Sequence, residues 1–431
     1  MGKEYQRSGV KSSSPGKQQV GFEVVNRREL SVRLPLPIVE VLEDLQAEVE
    51  RMTGEAGLKI VSAVLEDEVL QKVGSRYQPD PDSGARRWGS QPGYVVFSGQ
   101  KVPIERPRVR QRGGGEVELE TYRKLQRDGR MQRAVRERLV CGISSRQYGR
   151  AVESLLSGYG IARSSVSRHF IQATAGELKE LMERRLEKLK LVAILIDGIE
   201  FAGQVMIVAL GLDETGHKHM LGLWQGATEN ATVVRSMLED MVGRGLDTNR
   251  KYLFVLDESK ALRAAVERVF GQDTQVQRCQ LHKLRNVADH LPEHCRNDWR
   301  RRIRAAYSMM KYDEAKAALD RLWRQLVDIN PSAARSLEEG MEETLTVHRL
   351  GVGPLLRRTL ASTNPIESCL STVRRVTRRV THWQGGDHIQ RWTAAGLLQA
   401  EKGFRRIKGY RDLAALVQKL NPGLQAQQEV A

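Results

Sequence analysis

A mixed β-sheet with helices on its faces, interrupted by an all-helical insertion and preceded by a helical, basic N-terminal region, is the fold the sequence predicts. Three observations carry it. Apolar runs at residues 191–196, 205–212 and 220–224 read as successive strands. Helix, strand and helix then alternate at 231–242, 252–256 and 260–270, with a short strand at 275–278. Three strands followed by α, β, α suit a mixed sheet flanked by helices. Residues 291–354 turn almost wholly helical, and Ala315, Leu319, Leu322, Trp323 and Leu326 form an amphipathic stripe in which Trp323 reads as core. Further helices are expected from Thr363 onward and over 392–420.

Composition narrows the function classes. The chain has 431 residues, 40% of them hydrophobic, enough to bury a core. Four cysteines exclude a disulfide-stapled scaffold. The longest apolar runs are too short for a bilayer, which needs about 20 residues. Residues 1–19 are polar and lack the apolar core of a signal peptide. A soluble, cytoplasmic protein of several units is expected. Lys and Arg number 69 against 53 Asp and Glu, a net charge of +16, which points to a polyanionic partner.

The N-terminal third holds candidates for contact with that partner. Residues 1–20 read as a mobile tail. Ile38, Leu42, Leu45, Val49 and Met52, then Ile60, Val64, Leu65 and Val69, fall at helical spacing and suggest a pair of helices for packing or dimerisation. Residues 73–93, rich in Pro, Gly, Ser and Asp, read as a linker. Residues 94–97 and 100–104 suggest a short hairpin around Ser98 and Gly99. Arg106, Arg108, Arg110 and Arg112 follow, alternating on one strand face; a solvated charged edge and phosphate contact explain them equally well. Three short helices are expected over 129–175. The second opens on a capping box, Ser144 and Gln147. The third carries Ser165, Ser167, Arg168 and His169 in its first turns, a helix-turn-helix arrangement suited to DNA.

Three carboxylates stand out. Asp197 closes the run LVAILI and Asp257 closes YLFVL. An acid straight after a buried strand costs stability unless it has a purpose. Asp197 can begin a turn with Gly198, and Asp257 can cap the next helix; together they favour a divalent-cation site, for which Mg²⁺ needs few carboxylates. The third is Glu367 in Thr363-Asn364-Pro365-Ile366-Glu367. Asn364 as N-cap, Pro365 as first helical residue and Glu367 as the acid reaching back account for the motif. Its continuation adds Ser371, Arg374 and Arg378 on the face of Glu367, with Arg375 and Arg379 beside them, suited to bringing metal and phosphate together. Cys279 and His282 have ligand types at C-x₂-H spacing, half of a zinc site, and fit better as packing or hydrogen-bonding residues beside an active site.

The strings LIDGIEFAG, ALGLDETGHKHMLGLWQGATEN, VLDESKAL, QRCQLHKLRNVADHLPE, STNPIES and RWTAAGLLQAEKGFRRI, in this order over about residues 94–420, resemble the Mutator-type transposases of bacterial insertion sequences. The resemblance implies a DDE transposase on a ribonuclease-H-like core. It places the catalytic, metal-binding acids on Asp197, Asp257 and Glu367 and a C-x₂-H element on Cys279 and His282. The helical insertion then occupies the long interval before Glu367. Two Mg²⁺ (or Mn²⁺) ions, double-stranded DNA as transposon end and target, a homodimer or larger assembly and a bacterial, nucleoid-associated location are likewise implied. Terminal inverted repeats would be cut and the freed 3′-OH joined to target DNA. A domesticated, non-catalytic DNA-binding protein is the alternative. The chain departs from the family pattern at Glu258, where many members carry a small residue; this acid either replaces Asp257 as a ligand or caps the helix.

The domain layout that follows is a packing unit and linker over 1–93, a DNA-binding region over 94–180, the first part of the core over 181–290, the insertion over 291–354 and the rest of the core over 355–431. Charge divides along it. Residues 101–180 and 355–431 each carry a net +8, while 181–290, with both aspartates, is neutral.

Overall fold

The computed structural model describes residues 21–26, 29–33, 36–97, 99–126, 128–151, 161–226, 231–257 and 259–422. They fall into two compact units. The first contains an antiparallel pair, β1 (Gly21–Asn26) and β2 (Glu29–Arg33), then α1 (Leu36–Val73), β3 (Ala85–Phe97), β4 (Gln100–Gln111), β5 (Glu116–Val117) and α2 (Glu120–Leu125). The expected helix pair is one helix, α1, because no proline interrupts residues 39–73 and Gly54 and Gly57 are tolerated inside it. The expected linker is wrong from residue 85 on. β3 and β4 make a hairpin longer than its predicted core, and Gly89, with φ +81°, absorbs a register shift between Arg87 and Ser90. Pro92 is accommodated because β3 pairs on one side only. The hairpin buries Val95, Val102, Ile104 and Val109 against Leu65, Val69 and Val73 of α1. The tail over 1–20 lies outside the described residues.

The second unit begins with α3 (Asp128–Val140), α4 (Tyr148–Ala151) and α5 (Arg163–Glu183). Ser144 behaves as its motif predicts, its hydroxyl accepting from Gln147 N–H at 3.3 Å; most of the second expected helix, 152–160, lies outside the described residues. The expected boundary at residue 180 does not follow the packing. Phe170 of α5 meets Trp392 with ring centroids 4.4 Å apart, so α5 belongs with the sheet unit.

The sheet is formed by β6 (Leu191–Phe201), β7 (Gln204–Asp213), β8 (Lys218–Gly226), β9 (Leu253–Leu256) and β10 (Gln275–Arg278), in spatial order β10-β9-β6-β7-β8. β6, β7 and β8 are antiparallel, while β9 and β10 run parallel to β6. Helices α6 (Ala231–Gly243) and α7 (Lys260–Phe270) cover one face, where Ile194, Ile196, Phe254, Met237 and Val266 meet. The other face takes Ala193, Leu195 and Val255. Burial on both faces explains why β6 is continuously apolar rather than alternating.

After α8 (Gln280–Asp289), the insertion consists of α9 (Glu293–Ser308), α10 (Tyr312–Ile329), α11 (Pro331–Glu338), α12 (Met341–Thr344) and α13 (Thr346–Arg349). It has its own apolar cluster, in which Leu319, Leu322 and Leu326 are buried and Trp323 packs at the side. It returns beside β10. There Gln277 Nε2 donates to Thr344 O at 2.8 Å, Gln277 Oε1 accepts from Val347 N–H at 2.9 Å and Thr346 Oγ1 donates to Val276 O at 2.6 Å, which covers the sheet edge. α14 (Pro354–Leu360), α15 (Asn364–Thr377), α16 (Gly386–Glu401) and α17 (Leu413–Leu420) complete the unit. Among the described residues, no helix is long and apolar enough to cross a membrane.

α15 lies against β6 through Ile366, Leu370 and Val373, and α16 backs it. The two helices approach most closely at Gly396, where an added Cβ would stand 2.9 Å from Val373 Cα. Gly396→Ala gains up to about 1 kcal/mol of helix propensity but pushes on a backbone atom that cannot rotate away. The clash is expected to dominate, with a net loss of about 1–3 kcal/mol in urea unfolding; an unchanged or higher midpoint would contradict this packing.

Candidate active site

Asp197 lies within β6, not at its end. On one side it pairs with Val208 of β7; on the other, pairing with β9 stops at Leu195 and Val255. The neighbouring strand thus ends where Asp197 begins to need room. Its carboxylate accepts from the Gly198 N–H at 2.9 Å. Both residues are strand, so the turn reading of Asp197 and Gly198 is overturned.

Asp257 follows the last residue of β9. Its Oδ1 accepts from Ser259 N–H at 2.9 Å, and Ser259, not Asp257, caps α7. Because β6 and β9 are parallel, their acids emerge toward the same end of the sheet, where crevices of α/β folds form. Glu258 lies outside the described residues.

Glu367 enters from α15. The capping arrangement read from the sequence does not form. The N-cap is Thr363, without a side-chain cap bond, so Asn364 is the first helical residue and Pro365 the second. This shift releases Glu367 from reaching back as a cap. Its Oε1 instead accepts from Thr363 Oγ1 at 2.8 Å and stands 3.9 Å from His282 Nε2.

Cys279 joins these elements. It directly follows β10 and is fully buried; its N–H donates to Leu256 O at 2.8 Å, on the strand that leads into Asp257. Its sulfur lies 3.4 Å from both Thr363 N and Thr363 Oγ1. A continuous path therefore runs from the Asp257 strand through Cys279 and Thr363 to Glu367. Thr363 is the residue that sequence reasoning missed. It stands in the quoted string STNPIES, but the capping role was given to Asn364.

The electrostatics agree that these groups share one site. Burial is the main cause that lifts the Asp197 carboxyl to about 6. The Gly198 hydrogen bond and His282 oppose it, and Asp257 and Glu367 add to it by repulsion. His282 is raised to about 9, chiefly by the Cys279 sulfur, against burial and with help from Asp197 and Glu367. Burial disfavours ionisation of the Cys279 thiol, but the hydrogen bonds from His282 and Thr363 outweigh it and hold its pKa below the usual thiol value.

Among the described residues, Cys279, His282 and Glu367 are the one set whose ligand atoms all lie within 4.8 Å of one another. Three donors are one short of a closed zinc tetrahedron. The three carboxylates offer hard oxygens suited to Mg²⁺ or Mn²⁺, and their repulsion of one another at Asp197 is the mark of a cluster short of positive charge.

The expected phosphate-binding residues are dispersed. Arg374, Arg375, Arg378 and Arg379 are all exposed along and just beyond α15. Arg379 donates to Gln147 Oε1 at 3.4 Å, so this basic face runs beside the turn before α4. At the start of α5, Ser167 and Arg168 are exposed, Ser165 is half-buried and His169 is buried. Arg106 and Arg108, in the N-terminal unit, both pair with Glu116 at 3.1 and 3.0 Å. Arg110 stacks on Trp88 and Arg112 donates to Pro81 O. Lys283 is internal, bonded to Ser336 O and Glu339 O, while Arg285 is exposed.

Comparison with known proteins adds the family. The model of the Mutator family of transposases matches residues 42–406. The chain belongs to this family. It is 30% identical to the transposase for insertion sequence element ISRM5 of Rhizobium meliloti (strain 1021), over 81% of this chain and 88% of that one. The transposase for insertion sequence element IS406 of Burkholderia multivorans is 25% identical, over 64% of this chain and 72% of its own length. The transposase for insertion sequence element IS256 in transposon Tn4001 of Staphylococcus aureus is 25% identical, over 56% and 62%. All of the site residues above fall inside the matched family region.

The raised Asp197 pKa carries a stability consequence. The unfolded chain releases this proton near 3.8 and the folded chain near 6. Stability therefore falls as pH rises between those values, and the penalty is complete above them. At about 1.4 kcal/mol per unit it amounts to about 3 kcal/mol at most. With a chelator present, Asp197→Asn is expected in urea unfolding to be more stable than the parent above pH 6, by up to about 3 kcal/mol, and of similar stability near pH 3. A variant less stable than the parent at neutral pH would contradict the burial of this charge.

Proposed function

We propose that this protein is the transposase of a bacterial insertion sequence, a DDE enzyme on a ribonuclease-H-like core. It binds the terminal inverted repeats as a homodimer or larger assembly, cleaves the DNA ends and transfers the freed 3′-OH into target DNA with Mg²⁺ or Mn²⁺. The observation that carries this reading is the meeting of Asp197, Asp257 and Glu367. They come from β6, β9 and α15, far apart in sequence, and act electrostatically on one another at one end of a mixed sheet. The named relatives act as transposases for insertion sequences, and the strand order with parallel β9 and β10 beside an antiparallel β6-β7-β8 supports the ribonuclease-H-like reading.

Two divalent cations at these carboxylates would supply Lewis-acid stabilisation of the attacking and leaving oxygens of an in-line displacement. The chain's own residues prepare the site. Asp197, ionised above about pH 6 despite its burial, would be a ligand. Asp257, fixed by the Ser259 N–H, presents a carboxylate beside it. Thr363 orients Glu367, and protonated His282 offsets the negative charge of the cluster. The basic face of α15 and the exposed start of α5 hold phosphates. Arg106 and Arg108 are partly neutralised by Glu116, so Arg110, which has no acid partner among the described residues, is the better contact on the hairpin.

Asp197→Asn, Asp257→Asn and Glu367→Gln are each expected to abolish Mg²⁺-dependent cleavage and joining of a labelled duplex carrying the element's inverted repeat, while binding of that duplex persists. Undiminished strand transfer by Asp197→Asn would remove the assignment. End binding with no cleavage by the parent protein would favour the non-catalytic alternative.

Thr363 gives a finer test. A hydrogen bond to a charged group is worth about 1.5–3 kcal/mol. Thr363→Val is therefore expected to lower the cleavage rate by about tenfold to a hundredfold with end affinity unchanged, and Thr363→Ser to retain most of the rate. Equal losses in both variants would show that the hydroxyl does not position Glu367.

A further inference from the structure

A cleft of about 590 Å³ opens between α8 and α9 on one side and the corner from α14 to α15 on the other. Asn364 on its rim is the first residue of α15, one helical turn before Glu367. Whatever occupies the cleft is therefore a direct neighbour of the acid cluster.

Its walls combine two chemistries. Arg304, Arg357 and Arg358 line it, and none has a carboxylate partner among the described residues. Arg304 and Arg358 are exposed. Arg357 is 8% exposed, with its guanidinium donating only to neutral atoms of Met310, the carbonyl at 2.9 Å and the sulfur at 3.3 Å. Burial lowers its pKa, which marks a charge held out of water without an anion. A buried unpaired cation is costly, so the site asks for a negative group. The rest of the wall is apolar or aromatic. Leu281 and Tyr307 contribute, and Tyr307 is fixed by its hydroxyl, which donates to Thr344 Oγ1 at 3.1 Å.

We propose that this cleft seats one unpaired nucleotide of the DNA strand that passes Glu367. The phosphate meets the arginines and the base lies on the Leu281 and Tyr307 wall. This rests on the transposase reading above. The chemistry selects the occupant. A free phosphate would leave the apolar wall uncovered, and an intact duplex buries its bases and cannot present one to a pocket of this size. A base taken out of the stack offers a flat apolar face joined to a phosphate, and proteins read such bases by stacking and a few polar contacts. The insertion supplies Tyr307 and Arg304 while the sheet unit's helices supply Arg357 and Arg358. The cleft thus gives the insertion a part in holding the strand as well as covering the β10 edge.

The test uses the full-length Asp197→Asn protein and duplexes of the inverted repeat that borders its gene. 2-Aminopurine is placed in turn at each position around the end. One position is expected to brighten several-fold on binding, as an unstacked base does. Adding Arg304→Ala and Arg358→Ala, both at exposed positions, is expected to remove the brightening while end affinity falls by about tenfold or less. In the otherwise unaltered protein the same pair of changes slows cleavage of a paired end, and a mismatch at the brightened position restores much of the rate. Brightening at no position, or brightening and cleavage that survive both substitutions, overturns the subsite. Cleavage by the parent without any brightening sinks the subsite and leaves the transposase reading intact. Arginine-dependent brightening without cleavage by the parent supports the subsite and sinks the catalytic reading.

Discussion

Three carboxylates held together against their own repulsion set the terms for everything around them. Asp197 shows the strain directly, since burial and the charges of Asp257 and Glu367 raise its carboxyl to about 6. Such a cluster persists only if the elements carrying it are fixed by other forces. β6 is locked by sheet pairing on both sides up to Leu195 and by apolar packing on both faces. α15 is pressed onto that sheet by Ile366, Leu370 and Val373, with α16 behind it at a glycine contact. The apolar core thus supplies the free energy that the acids give up.

Cys279 explains how elements distant in sequence keep their spacing. Its backbone is tied to the strand leading into Asp257 and its sulfur to Thr363, which holds Glu367. One fully buried side chain therefore spans the interval between the second and third acids. Its neighbour His282, held protonated by that sulfur and by the acids, is a cation within the site itself. The C-x₂-H spacing is accounted for by this double duty, since Cys279 N-caps α8 and His282 lies one turn along it.

Positive charge follows the same division of labour. Inside the unit, arginines and Lys283 are consumed by carbonyls and acids that fasten the insertion to the sheet edge. Outside it, the α15 row is exposed and has no acid partner among the described residues. On the hairpin, one acid, Glu116, answers two arginines. Net charge by segment therefore overstates the exposed, unanswered positive charge of the hairpin and gives a fair account of that of α15.

Much of the second unit was legible in the sequence. The strand at 275–278 and the helices at 231 and 260 were readable to within a residue or so, because short, strongly patterned segments buried against a sheet leave a clear hydrophobic period. Asp197 and Asp257 stood out because each closes an apolar run, and Glu367 because of the string around it and the arginines that follow. The N-terminal unit was less readable. β3 contains Gly89, Pro92 and Gly93, which signal a linker locally, and only pairing with β4 makes it a strand. The capping role of Asn364 was a sound local inference that lost to a tertiary one. Thr363, not Asn364, is the N-cap, and its N–H meets the Cys279 sulfur. The sequence by itself determined which residues are apolar, which are charged and, in the second unit, roughly where most elements lie. Which strand edge stands free beside Asp197, and which hydroxyl holds Glu367, was decided only by tertiary structure. The first depends on strands tens of residues apart, and the second on Cys279 meeting Thr363 across 84 residues, and such contacts leave no period in the chain.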